Sequence, residues 1–127
     1  MRLYDVAVVT LAIDAPRKWT DNVLSQYPIP GVVSVRQGVS RGVSHGGLTR
    51  LALIRDLHVR LGIGVGDAVQ ITKRLLDSGG PPVLIVGQLT LTVDLAALHR
   101  RIDIQLGAAL ESAPSPRRGR PPMRDRR

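Results

Sequence analysis

Residues 31–76 constrain the fold most, because they read as a basic β-hairpin running directly into two amphipathic helices. Val32, Val33 and Val35 precede Arg36-Gln37-Gly38, and Val39, Arg41 and Val43 come after, so two β-prone runs flank a glycine turn and carry two arginines. Ser44 stands where a helix N-cap belongs. Behind it Leu51, Ile54, Leu57 and Leu61 recur at spacings of three and four as an apolar stripe, and Gly62 supplies the stop. After Ile63-Gly64-Val65-Gly66 a further helix is expected, with Ala68, Ile71, Thr72, Leu75 and Leu76 on a face that closes the core against that stripe.

Upstream, residues 3–13 mix two signals. Val6, Val8, Val9, Thr10 and Ile13 favour a strand, while Val8, Leu11 and Ala12 share one helical face. Residues 14–23 decide for a helix: Asp14 suits an N-cap, Pro16 suits a first turn, and Trp19 and Val23 stand one turn apart on an inward face. Two short helices joined by a tight turn make a helix-turn-helix. The outward face of the second then carries Arg17, Lys18, Thr20 and Asp21, with Asn22 near the boundary, and Leu24 falls outward as well. Pro28 and Pro30 end the helix and lead into the hairpin. Trp19 is expected in the core rather than stacked on a base.

Downstream, Ser78-Gly79-Gly80-Pro81-Pro82 is a break, and residues 83–86 and 89–93 read as two strands around Gly87-Gln88. An isolated hairpin is marginal in water, so the helix after it or a second copy of the chain must cover it. That helix opens at Asp94 and runs to about residue 112, with Leu95, Leu98, Ile102, Leu106 and Ala109 on one stripe and Ile104 opposite. From Ala113 onward Pro, Arg and Ser dominate, so the tail is expected to be disordered when free.

The chain of 127 residues allows one folded unit with an appendage. It divides into residues 1–77, residues 78–112 as a dimerisation segment, and the basic tail 113–127. Its formal charge is +8, and all but Lys18 and Lys73 of the basic residues are arginine, the side chain suited to forked contacts with phosphate and guanine. A GC-rich genome is the alternative source of so much arginine, since net charge speaks to association and not to fold. The tail holds six arginines against one aspartate, so it carries +5 and residues 1–112 carry +3. No cysteine is present, which removes disulfides, thiolate metal sites and thiol nucleophiles. No long apolar run and no secretory signal stand in the sequence, so a soluble, unexported protein with no membrane partner is expected, cytoplasmic and, if it binds DNA, at the nucleoid.

Arg36, Gly38, Arg41 and Val43 of the hairpin, Leu48, Leu51, Ile54 and Leu57 of the next helix, and Leu61-Gly62-Ile63 carry a resemblance to the MerR family of bacterial transcription regulators. The resemblance runs from about residue 4 to 76. It implies a mainly α (α+β) fold, a winged helix-turn-helix of MerR type, here followed by a β-hairpin and a C-terminal helix. In the tail, Arg118, Gly119, Arg120 and Pro121 resemble the core of an AT-hook, the minor-groove motif of high-mobility-group chromatin proteins. A glycine lets extended backbone lie deep in a narrow groove, where the flanking arginines meet enhanced negative potential. A nonspecific phosphate clamp is the alternative for so basic a tail.

Catalysis finds little support: His45, His58 and His99 are scattered, and Gly62-Ile63-Gly64-Val65-Gly66 lacks the preceding strand of a nucleotide loop. No cofactor, metal or small-molecule ligand is marked. The expectation is a dimeric, non-enzymatic transcription regulator on double-stranded DNA, contacting it through Arg17, Lys18, Thr20, Asn22, Arg36, Arg41, Arg118, Gly119, Arg120 and Pro121. Two alternatives stand beside it, a nucleoid-associated architectural protein and a protein-interaction module such as an antitoxin or phage adaptor.

Overall fold

The computed structural model describes residues 2–34 and 41–112. Near its start, Asp5 serves two structures at once: its backbone pairs with Gly42, and its Oδ1 accepts from the Val8 amide at 3.0 Å. Strand β1 (Tyr4–Asp5) therefore passes straight into helix α1 (Val6–Ala12). This corrects the expectation of a helix across residues 3–13. A partner strand contributed from residues 42–43 satisfies the first backbone groups, a long-range pairing that local periodicity does not register. Asp14 is corrected too. It makes the turn, at φ 53°, and Pro16 takes the N-cap position of helix α2 (Arg17–Gln26).

Strands β2 (Val32–Val33) and β3 (Gly42–Val43) pair antiparallel with Val32 opposite Val43, and β3 lies between β1 and β2. The hairpin expected here has both its flanks, while its turn and Arg36 lie outside the described residues. Gly31, the residue before β2, stands at φ 94°, and a Cβ there would lie 2.5 Å from the Gly47 nitrogen. Only glycine fits where the strand root crosses the start of the next helix. The Gly31 carbonyl in turn accepts from the Ser44 amide at 2.8 Å.

Helix α3 (His45–Leu61) is capped by Ser44, whose Oγ accepts from the Gly47 amide at 3.1 Å, and is ended by left-handed Gly62. Leu48, Leu51, Ile54 and Leu57 are buried, but Leu61 is 60% exposed. The expected stripe is one turn too long, because Leu61 belongs to the last turn, where the helix stops at left-handed Gly62 and no described residue buries it. Helix α4 (Val65–Leu76) packs on α3 through Ala68, Val69, Thr72 and Leu75.

Strands β4 (Val83–Val86) and β5 (Leu89–Thr92) pair antiparallel around Gly87-Gln88, as expected, with Val83 opposite Thr92, and β4 packs on α4 with Leu84 buried. Asp94 Oδ1 accepts from the Ala97 amide at 3.0 Å and opens helix α5 (Leu95–Ser112). The α5 stripe of Leu98, Ile102, Leu106 and Ala109 lies in the same apolar cluster as Val9 and Leu51, and α5 packs on α1 and α3. The described fold is α+β, with five helices and two small antiparallel sheets. No helix among the described residues is long and apolar enough to cross a membrane.

Candidate nucleic-acid interface

On α2 the buried stripe is Thr20, Val23 and Leu24, one residue out of phase with a stripe on Trp19 and Val23. Two expectations change with it. Leu24 faces the core rather than solvent, and Thr20, expected on the contact face, is 0% exposed with its hydroxyl donating to the Pro16 carbonyl at 3.3 Å. A threonine bonded to the carbonyl four residues back buries its methyl at little polar cost, which is why a core position looks polar in the sequence. Thr20 is therefore withdrawn from the contact residues.

Lys18, Asn22 and Ser25 recur at i, i+4 and i+7 and form the exposed face of α2. Arg17 is exposed as well, with its Nε 3.3 Å from Asp21 Oδ2. An exposed pair of this kind is worth about 0.3 to 0.5 kcal/mol, so Arg17 is easily drawn to a phosphate. Arg41, the residue before β3, donates from Nη2 to Ser25 Oγ at 3.3 Å. The root of the hairpin thus meets the exposed face of α2, and Lys18, Asn22 and Arg41 belong to one surface. Arg36, Arg118, Gly119, Arg120 and Pro121 lie outside the described residues.

Trp19 is half-buried and turned towards α3. The His58 ring stacks on it at 6.2 Å between centroids and 24° between planes, with the Arg55 guanidinium 4.9 Å from its ring centre. His58 Nδ1 lies 2.8 Å from the Ile63 carbonyl at the α3–α4 joint, so both side chains are committed to packing. Asp56 holds Arg101 at 2.9 Å and Arg60 at 3.4 Å, which offsets the positive charge on that side of α3. His45 Nε2 lies 2.9 Å from Asp103 Oδ1, linking α3 to α5. Among the described residues no cluster of three or more His, Asp or Glu side chains is placed to hold a metal ion.

A groove of about 490 Å³, which no local pattern in the sequence marks, runs beside the C-terminal end of α2, between the hairpin root and helices α3 and α4. Its floor includes Leu24, Tyr27, Ile29, Ile54 and Val69, and Arg41, Arg50 and Lys73 line it without an acidic residue among them. These residues come from well-separated parts of the chain, so only the fold brings them together. No protein-family model, curated protein or solved structure matches the chain.

Proposed function

We propose that the protein is a DNA-binding transcription regulator, a winged helix-turn-helix of MerR-like kind that acts as a dimer at the nucleoid. In this reading α2 enters the major groove with Lys18 and Asn22 foremost, and Arg41 and Arg36 hold the flanking backbone from the hairpin. Arg118, Gly119, Arg120 and Pro121 add a minor-groove grip. The observation that carries the reading is the contact between Arg41 and Ser25, which joins hairpin and helix into one basic face.

Fluorescence anisotropy of full-length protein on a panel of duplexes tests it. Replacement of Lys18 and Asn22 together by alanine, and separately Arg41→Ala, should each weaken binding while leaving the melting temperature unchanged. Affinity unaltered by both sinks the assignment of this face. Equal affinity for every duplex would instead favour the architectural reading.

A second reading is favoured by the hairpin of β4 and β5, where Ile85, Val86 and Leu89 are exposed. Apolar side chains concentrated on one small sheet suit a protein partner. In that reading the hairpin holds the partner and DNA is secondary, and retention of a partner by a variant that has lost DNA binding distinguishes the two.

A further inference from the structure

We infer that the groove between the hairpin root, α3 and α4 is a binding site for a small amphipathic carboxylate. Its size falls within the range of small-molecule sites, and its build is the usual one, an apolar floor with a few polar groups at the edge. Leu24, Tyr27, Ile29, Ile54 and Val69 give a ring or short acyl body a place out of water. The sign of the ligand follows from charge. Among the described residues Arg41, Arg50 and Lys73 line the groove and no acid does, while Arg50 is already paired with Asp77, which leaves Arg41 and Lys73 to receive an anion.

The same charges decide between occupants. The chain's own tail, with six arginines against one aspartate, is repelled by this lining. A nucleic-acid backbone gains nothing from the apolar floor. A carboxylate on an apolar body satisfies both parts of the groove.

Thr72 supplies an independent sign of incompleteness. It stands in the wall on α4 at 2% exposure, and its hydroxyl has no hydrogen-bond partner among the described residues. A buried polar group left unpaired is costly, and a bound carboxylate is an acceptor that would relieve it. Arg41 also lies within the groove lining while bonding Ser25, so the ligand and the exposed face of α2 share one guanidinium.

The test is titration of the uniformly nitrogen-15-labelled full chain with 4-phenylbutyrate, and in parallel with neutral 4-phenylbutanamide, followed by amide shifts in the absence of DNA. Saturable shifts centred on Ile54, Val69 and Thr72 are expected, with the amide binding roughly tenfold more weakly. Lys73→Gln, on an exposed side chain, should remove most of the difference between acid and amide. Thr72→Val should weaken the acid by roughly three- to tenfold. It should melt no lower than the parent, because it removes an unpaired buried hydroxyl. Absence of saturable shifts at these three residues, or equal binding of acid and amide to the parent, overturns the proposal.

Discussion

Thr20 and Asn22 stand two residues apart on α2 and meet opposite surroundings, one fully buried and one exposed. The difference separates a structural role from a contacting one. Thr20→Val keeps the shape and removes only the hydroxyl. The Pro16 carbonyl still accepts from the Thr20 amide at 3.2 Å, so the change should cost no more than about 1 kcal/mol by chemical denaturation. It should leave affinity for DNA where it was. Asn22→Ala should do the reverse, lowering affinity at an unchanged melting temperature. Lys18→Ala offers a sharper reading on the same face. If its ammonium neutralises one phosphate, the slope of log affinity against log salt becomes shallower by about 0.9. An unchanged slope removes Lys18 from the contact set, whatever happens to affinity.

At the scale of elements, the boundaries fixed by side chain and backbone within one turn were the legible ones. Ser44, Gly62 and Asp94 cap or stop α3 and α5 as their types and positions indicate, because a cap needs only a neighbour three or four residues away. Ser44→Ala should therefore cost about 1 kcal/mol, lowering the melting temperature by roughly 4 to 8 °C in a unit of this size. Calorimetry checks it, and a loss below about 1 °C would show that Gly31 and the hairpin hold the start of α3 without the cap. Gly31→Ala should do more damage. Both its φ and the nearness of the Gly47 nitrogen forbid a Cβ, with roughly 1 to 3 kcal/mol for the backbone strain alone. Apart from the local turn at Asp14, what the sequence concealed was set at long range. Strand β1 exists because Tyr4 meets Val43, and the phase of α2 follows from Thr20 being accepted into the core. The groove illustrates the same limit for the sites. Lys18 and Asn22 could be picked out by helical spacing, whereas Arg50 and Lys73 have no sequence relation to Tyr27 or Arg41 until α3 and α4 pack beside the hairpin root.

For the whole molecule, the distribution of apolar surface and of charge points in two directions. Exposed apolar side chains gather on the β4–β5 hairpin, with Leu89 at 74%, and Ile104 on α5 is equally bare. Because the α5 stripe is already spent on α1 and α3, a dimer would form through the hairpin rather than through that stripe. Sedimentation of the full chain should give a dimer that Leu89→Asp converts to a monomer; a parent monomer at high concentration refutes it. Charge is distributed differently, since residues 113–127 carry +5 of the total of +8. If the tail grips a minor groove, removing it should reduce the salt slope by up to about 5, the count-weighted contribution of six arginines, and abolish any preference for AT-tracts. Residues 1–112 should then bind with a lower affinity that still depends on Lys18, Asn22 and Arg41. Anisotropy on AT-tract and GC-rich duplexes at two salt concentrations resolves both parts. Loss of slope without loss of preference makes the tail a phosphate clamp, because positive charge alone steepens salt dependence for every sequence equally. Loss of all binding on truncation would leave the exposed face of α2 without a role in DNA recognition and move the hairpin to the centre of the function.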